Sequence, residues 1–484
     1  MRGDPYEDDR PAEFNELLIT GNMTLIKSIS GIRGTIGGNP GDALTPIDAV
    51  QFAAAYGTWL AQRFPGKRLK VVVGRDARLS GEMISQLVTN TLTGLGIDVV
   101  QLGLSTTPTV EMAVPFHAAN GGIILTASHN PKQWNALKLL NEKGEFISGA
   151  EGEDLMRIAD AGAFSFAEVD DLGTVTADTE AIDRHIEAIL ALDDVDVNAI
   201  RQAGFSVVVD AVNSTGGIAV PALLRKLGVT NITELYCEPT GHFPHNPEPL
   251  PEHLTELSAK IKETGAAIGI TVDPDVDRLA LVCEDGSMFG EEYTLVAVAD
   301  YILSRRKGAT VSNLSSTRAL RDITEAEGCA YYASAVGEVN VVEKMKAVNA
   351  VIGGEGNGGI IYPELHYGRD SLVGIALFLT HLAYKKVSMT ALRASYPNYE
   401  MAKKKIELTP GIDVDGILQT MAERYAREEV DTTDGVKIYI DKEWVHLRKS
   451  NTEPIIRIYT ESRDAEAASG LADKIIEEIR SLIG

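Results

Sequence analysis

The amino-acid sequence predicts an α/β protein of three similar mixed α/β domains followed by a smaller α+β C-terminal domain. Three observations carry this expectation. A strand–helix–strand pattern returns three times, and each return is followed by an apolar strand that opens into a polar loop. The closing segment breaks the pattern with short strands joined by tight polar turns. A chain of 484 residues is long enough for about two to four domains.

The elements follow in order. Residues 1–22, "MRGDPYEDDRPAEFNELLITGN", are polar and acidic, the opposite of a secretory signal, and are expected to form a disordered tail before a fold that begins near Met23. "LKVVVGRDARLSGEMISQLVTNTLTGLGIDVVQLG" then reads as strand, loop, helix and strand. Ile84, Leu87, Val88, Thr91, Leu92 and Leu95 recur at helical spacing, with Ser80 placed as N-cap. "FSVVVDAVNSTGGIAVPALLRKLGVTNITELY" repeats the plan from residue 205, and "ATVSNLSSTRALRDITEAEGCAYYAS" repeats it from 309. Units of this length favour parallel pairing through right-handed crossovers.

The strands that follow the three units are "GGIILTASHNP", "AAIGITVDPDVDR" and "NAVIGGEGNGG". A cleft shared between the domains would collect their three loops. From about Pro397, "GVKIYID", "WVHLRKS" and "PIIRIYTES" suit an antiparallel sheet, and the last helix carries Leu471, Ile475, Ile479 and Leu482 on one face. The expected domains are residues 23–178, 179–286, 287–396 and 397–484.

Composition narrows the function. With 44% hydrophobic and 24% charged residues the chain reads as an ordinary globular protein. Its 69 acidic against 45 basic residues give a net charge of −24, which argues against nucleic acid or an anionic membrane as partner. No stretch reaches the roughly 18–20 apolar residues of a membrane span. Three cysteines without a CxxC pair suggest no disulfide framework or zinc knuckle. The expectation is a cytoplasmic protein, monomeric or homo-oligomeric, whose partners are small molecules. A local basic pocket inside the acidic envelope would still admit an anionic one.

Asp273, Asp275 and Asp277 in "TVDPDVDRLALV" alternate at i, i+2 and i+4, which in an extended segment points three carboxylates to one side. Like charges so packed need a neutralising cation, and a hard one with oxygen ligands, Mg²⁺, suits them. The bland alternative is a solvated acidic turn. An EF-hand fails, although Glu284 stands twelfth from Asp273, because Arg278 holds the glycine position and the flanks read as strands. Arg278 beside such a cluster makes sense if a phosphate also sits there.

"GGEGNGG" satisfies G-x-G-x-x-G through Gly354, Gly356 and Gly359, yet "IIYPELHYG" follows where a dinucleotide fold requires a helix. Glu355 and Asn357 on this turn could instead reach the hydroxyls of a polar ligand; a plain tight turn is the alternative. The turn in "HLRKSNTEPIIRIY" gathers Arg448, Lys449, Ser450, Asn451, Thr452 and Arg457, a set suited to a phosphate dianion or simply a solvated basic turn. Around Ser128 in "TASHNP" the G-x-S-x-G of a serine hydrolase is absent. A serine facing a carboxylate–Mg²⁺ site and a distal phosphate clamp points to phosphoryl transfer through its oxygen. His129 and Lys138 are then candidates for proton transfer and charge stabilisation.

"TASHNP" with Lys138, "DPDVDR", the Glu355 loop and "RKSNTEP", in this order, resemble the α-D-phosphohexomutase superfamily, as do "SGIRG" at 30–34 and "GRDARLSG" at 74–81. The resemblance runs from Met23 to the end. It implies a heart-shaped, four-domain enzyme moving phosphoryl between C1 and C6 of a hexose phosphate through a phosphorylated Ser128 and a hexose 1,6-bisphosphate. It also implies that Asp273, Asp275 and Asp277 hold Mg²⁺ together with the Ser128 phosphate. By the same match Arg33, His129, Lys138 and Arg278 surround the transferring group, Glu355 binds sugar hydroxyls, and Arg448, Ser450, Asn451 and Thr452 hold the non-reacting phosphate.

The sequence departs from the family pattern in the sugar loop, where Asn357 takes the place of a serine and Gly359 that of a histidine. "WNALK" likewise replaces a more usual Asn-Gly before the lysine. The loop, "NPEPLPEHL" and "VGEVNVVEKM" resemble the archaeal-type phosphoglucosamine mutase branch, which implies glucosamine phosphate as substrate. Phosphomannomutase or phosphoglucomutase activity is the alternative. A metal-dependent sugar phosphatase and a non-catalytic sugar-phosphate binder are the readings from other classes.

Overall fold

The computed structural model describes residues 23–28, 31–409, 412–450 and 455–483. The expected N-terminal tail lies outside them, as do Asn451 and Thr452. Four sheets follow one another along the chain, of seven, four, four and five strands.

In the first, the order is Ile26–Ser28, Gly31–Thr35, Trp134–Leu140, Gly121–Leu125, Lys70–Arg75, Asp98–Leu104 and Val175–Ala177. The second runs Leu279–Cys283, Ile268–Val272, Ser206–Asp210, Asn231–Leu235, and the third Tyr331–Ser334, Thr310–Asn313, Ile352–Glu355, Gly359–Ile361. Within each, the repeated strand–helix–strand unit pairs in parallel. These strands read as unbroken apolar runs because both faces are covered: Val71, Val72 and Val73, like Val207, Val208 and Val209, are buried.

One feature common to the three sheets positions the site. Gly121–Leu125, Ile268–Val272 and Ile352–Glu355 each add in parallel to the first strand of their unit, then turn back into an antiparallel neighbour. The three polar loops are these turns, at the carboxyl ends of parallel strands, where open α/β sheets place their ligands.

The helix Gly81–Gly94 buries Ile84, Val88, Thr91 and Leu92, as its spacing predicts. Ser80 does not cap it: its backbone is already helical and its hydroxyl accepts from Asn135 Nδ2 at 2.9 Å. The hydroxyl therefore ties the helix to the strand after the serine loop. The last sheet is antiparallel throughout. Ile475 and Ile479 of the helix Ala465–Ile483 are buried in its core, with Leu471 and Leu482 packed at the margin.

Candidate active site

Ser128 sits just past the strand Gly121–Leu125 in a left-handed conformation, φ +48°. For a residue with a Cβ that is a strained backbone, held only where the surroundings dictate it. Here Arg78 dictates it. Its side chain, 1% exposed, donates to the carbonyls of Ser128, Asn130, Pro131 and Trp134 and pairs with Asp76 at 3.0 Å. Asp76 in turn accepts from Thr126 Oγ1 at 2.7 Å, and the Ser128 N–H donates back to that same Oγ1 at 2.9 Å. Ser128 Oγ is thereby aimed out of the first domain, and it donates to Asp273 Oδ2 at 2.7 Å.

The aspartates converge, though not as a strand. The segment between Val272 and Leu279 is a turn with Val276 at φ +65°. The alternation expected of an extended segment is thus replaced by a loop that folds the three carboxylates inward, closed by Asp273 Oδ1 accepting from the N–H groups of Asp277 and Arg278, each at 3.1 Å. All three side chains are fully buried. Asp275 Oδ2 accepts from Thr107 Oγ1 at 2.6 Å and from Lys138 Nζ at 2.7 Å. Asp277 Oδ2 accepts from Arg369 Nη2 at 2.7 Å.

Burial, reinforced by Asp277 and Asp275, raises the Asp273 carboxyl well above its usual range. At Asp275 burial works the same way but Lys138 outweighs it, and the carboxyl is held well below that range. Lys138 is raised in return: its burial is outweighed by Asp275 and Asp277, so it stays protonated and contributes charge. Burial and the neighbouring Arg278 push the His129 imidazole down to about 2, leaving it neutral.

The triad fits a hard divalent cation. One oxygen from each aspartate lies within 4.8 Å of the others, and the inner oxygens Asp275 Oδ1 and Asp277 Oδ1 are buried without a hydrogen-bond partner. Buried anionic oxygens left unpaired are costly unless something coordinates them.

A cleft of about 610 Å³ collects Arg33, Ser128, His129, Lys138 and Arg278 with Glu355 from the third sheet and Arg448, Ser450 and Arg457 from the fourth. A cavity of about 640 Å³ between 248–252, 288–293 and 399–403 is slightly larger but holds none of these loops. Arg33 donates to Asn130 Oδ1 at 3.3 Å, Arg278 lies 3.5 Å from Glu248, and Arg448 pairs with Asp434 at 3.0 Å. Asn357 is not among the residues lining the cleft; its Oδ1 accepts from the Gly359 N–H at 3.2 Å, within its own turn.

Sequence reasoning missed two residues of this cleft. Arg369, from "HYGRD", donates to Asp277, to Glu355 at 2.8 Å and to Glu338 at 3.1 Å, so one guanidinium ties the acidic loop to the glycine-rich loop. Glu338, from "VGEVN", stands beside Glu355 on the cleft wall. Glu338 could have been noticed only as a charge in a mainly apolar run, and Arg369 lies in a polar run that matches no motif. Arg369 also accounts for Gly359, because a Cβ on that glycine would lie 2.4 Å from Arg369 Cδ. The guanidinium arm occupies the room a side chain there would need.

Comparison with known proteins adds to this geometry. Four family profiles match in series: the phosphoglucomutase/phosphomannomutase alpha/beta/alpha domains I, II and III over residues 25–165, 183–286 and 290–399, and the C-terminal domain over 401–478. A phosphoglucomutase/phosphomannomutase of Thermococcus kodakarensis is 34% identical over 92% of this chain and 98% of its own. A phosphoglucosamine/phosphogalactosamine mutase of Sulfurisphaera tokodaii is 30% identical over 92% of this chain and 97% of its own. The crystal structure of a phosphoglucomutase/phosphomannomutase family protein from Burkholderia thailandensis superposes with a TM-score of 0.82 at 26% identity, covering 95% of this chain and 97% of the other.

Proposed function

The chain belongs to the phosphoglucomutase/phosphomannomutase family of phosphohexomutases, and from that premise we propose that Ser128 carries the phosphoryl group between C1 and C6 of glucosamine phosphate. The observation behind the role of Ser128 is its hydroxyl 2.7 Å from Asp273, at the mouth of a cleft that the other loops share.

In this reading phosphorylated Ser128 faces the 6-phosphate substrate. The C1 hydroxyl attacks phosphorus, the P–Oγ bond of the serine breaks, and a new P–O bond forms on the sugar. The anionic phosphoryl group beside His129 raises its imidazole, which takes the hydroxyl proton and returns it to the freed Ser128 Oγ, while Lys138, Arg33 and Arg278 offset charge on the oxygens in transfer. The 1,6-bisphosphate turns over in the cleft, and its other phosphate passes to Ser128 Oγ, leaving the 1-phosphate. Asp273, Asp275 and Asp277 would hold Mg²⁺, which supplies charge neutralisation at the phosphoryl oxygens. Arg448, Ser450 and Arg457, with Asn451 and Thr452 next to Ser450 in the sequence, grip whichever phosphate is not reacting. Glu355 binds the sugar, and Asn357 holds the turn that presents it.

Glucosamine is favoured by the charge of the sugar wall. Glu338 and Glu355 share one guanidinium, Arg369, which also serves Asp277. Two carboxylates on the cleft wall thus face one guanidinium, and an ammonium on the sugar would pair with the second. Glucose and mannose phosphates are the alternative substrates, by the name of the Thermococcus relative. No helix among the described residues is long and apolar enough to cross a membrane, and we place the activity in the cytoplasm on small sugar phosphates.

Steady-state kinetics with the 1- and 6-phosphates of glucosamine, glucose and mannose, run side by side, test the proposal. The expected result is mutase turnover that needs Mg²⁺ and a bisphosphate primer, with the highest kcat/KM for glucosamine. Release of inorganic phosphate in step with time, without primer, would instead make the protein a phosphatase.

A further inference from the structure

Behind the cleft, four titratable side chains from three separate parts of the chain meet in the interior. His185 lies on the helix Ala181–Leu190, Glu111 on the helix Thr107–Phe116, and Asp370 caps the helix Ser371–Lys385, four residues after His366. His185, Glu111 and Asp370 are each at most 2% exposed, and His366 keeps 13% of its side chain open. The mechanism above uses none of them.

Their orientation is specific. His185 Nε2 lies 2.9 Å and His366 Nε2 3.4 Å from the same oxygen, Asp370 Oδ2, and one donor atom from each of the three residues falls within 4.8 Å of the others. The far nitrogens are also occupied: His185 Nδ1 is 2.9 Å from Thr109 Oγ1, and His366 Nδ1 is 3.3 Å from Glu111 Oε2. Metal-bound histidines characteristically donate the N–H of their other nitrogen to such an acceptor, often a carboxylate. Glu111 supplies an independent sign. Both its oxygens are buried with no well-formed hydrogen bond, and Oε2 fills the space beside Gly368, where a Cβ would lie 1.8 Å from it. A carboxylate packed so tightly behind His366 has no role in the cleft.

We propose that His185, His366 and Asp370 bind one Zn²⁺ ion, distinct from the Asp273–Asp275–Asp277 site, with Glu111 and Thr109 orienting the two imidazoles. Two imidazoles and one carboxylate are a borderline-soft donor set that selects zinc over Mg²⁺. Asp370 and Glu111 together balance the two positive charges of the ion while both histidines stay neutral. The ion would join the helix Ala181–Leu190 to the segment 366–370, with Glu111 and Thr109 of the first domain backing the two imidazoles, and so fix the neighbouring Arg369 in the cleft.

The full chain, stripped with a chelator, is given Co²⁺ and then Zn²⁺ against excess Mg²⁺. One ion per chain should be retained, with the visible absorption of a nitrogen-ligated Co²⁺ site. Retention should be lost in His366→Gln and weakened about 10–100-fold in Glu111→Gln. X-ray absorption at the zinc edge of the wild-type protein should show imidazole scattering, which no all-aspartate site produces, so the test stands even if a variant fails to fold. No zinc retained against Mg²⁺, a zinc spectrum with oxygen neighbours only, or full zinc content in a folded His366→Gln would each overturn the proposal. The four residues would then be a latch bridged by a protonated His366.

Discussion

Ser128 Oγ and Asp273 Oδ2 meet at 2.7 Å although 145 residues separate them in sequence, and the bond crosses from the first sheet's loop to the second's. The contact has a chemical reading because Asp273 is raised well above its usual range by burial and by two neighbouring carboxylates. A phosphate on that serine would join the same cluster only with a cation to offset the added charge.

Ser128 is therefore expected to carry phosphate in active enzyme. Peptide mass spectrometry should find the modification on the tryptic fragment containing "TASHNP", and Ser128→Ala should lose mutase turnover by several orders of magnitude while keeping its fold. Full activity in Ser128→Ala would remove the serine from the reaction.

Asp275→Asn removes one formal charge from the triad and weakens the pairing with Lys138, now at 2.7 Å. The Mg²⁺ concentration for half-maximal rate should rise, and the maximal rate should fall. An unchanged magnesium titration would mean that the three carboxylates hold no ion.

Arg78→Met tests whether the strained serine turn depends on its buried guanidinium. The substitution leaves the carbonyls of the serine loop without their donor and Asp76 without its cation, and breaking a buried pair costs about 3–5 kcal/mol. A lower Tm and a reduced kcat are expected together, with a smaller change in KM because Arg78 does not line the cleft. Wild-type stability in this variant would contradict the network.

What the sequence disclosed and withheld divides along physical lines. Ser128, the aspartates, Glu355 and the Arg448 turn were legible because each sits in a short local run whose residue types have few uses. The parallel units were legible from periodicity. The antiparallel return after each loop was not, since a buried strand reads the same in either direction. Nor was the turn at Val276, where alternation mimics a strand. Arg369, Glu338 and Arg78 act over long stretches of chain, Arg369 across to Asp277 of the second domain, and nothing in their neighbours announces a partner 14 to 92 residues away. Gly359 shows the limit most plainly, because its meaning lies in the arm of Arg369, ten positions on.

Glu338→Gln examines the sugar wall. It keeps the shape of the side chain and removes its charge, so the ratio of kcat/KM for glucosamine to that for glucose phosphate should fall about tenfold or more, roughly the 1.5–3 kcal/mol of a charge-assisted contact. Equal losses on both sugars would reduce Glu338 to a support for Arg369, and glucose or mannose would become the better reading of the substrate.

Arg448 separates the remote clamp from the chemistry. It comes from the fourth sheet, pairs with Asp434 at 3.0 Å, and lines the cleft that Ser128 faces from the first. A phosphate held there is the one not reacting, and both orientations of the bisphosphate place a phosphate in that position. Arg448→Ala should therefore impair the 1-phosphate and 6-phosphate substrates alike, by about 1.5–3 kcal/mol in transition-state binding, while Ser128 remains phosphorylated. Kinetics in both directions, with phosphoserine measured on the same samples, decide the matter. A loss confined to one direction would mean that the intermediate is gripped at only one end, and a reorientation between two equivalent anchors would no longer explain how Ser128 recovers its phosphate.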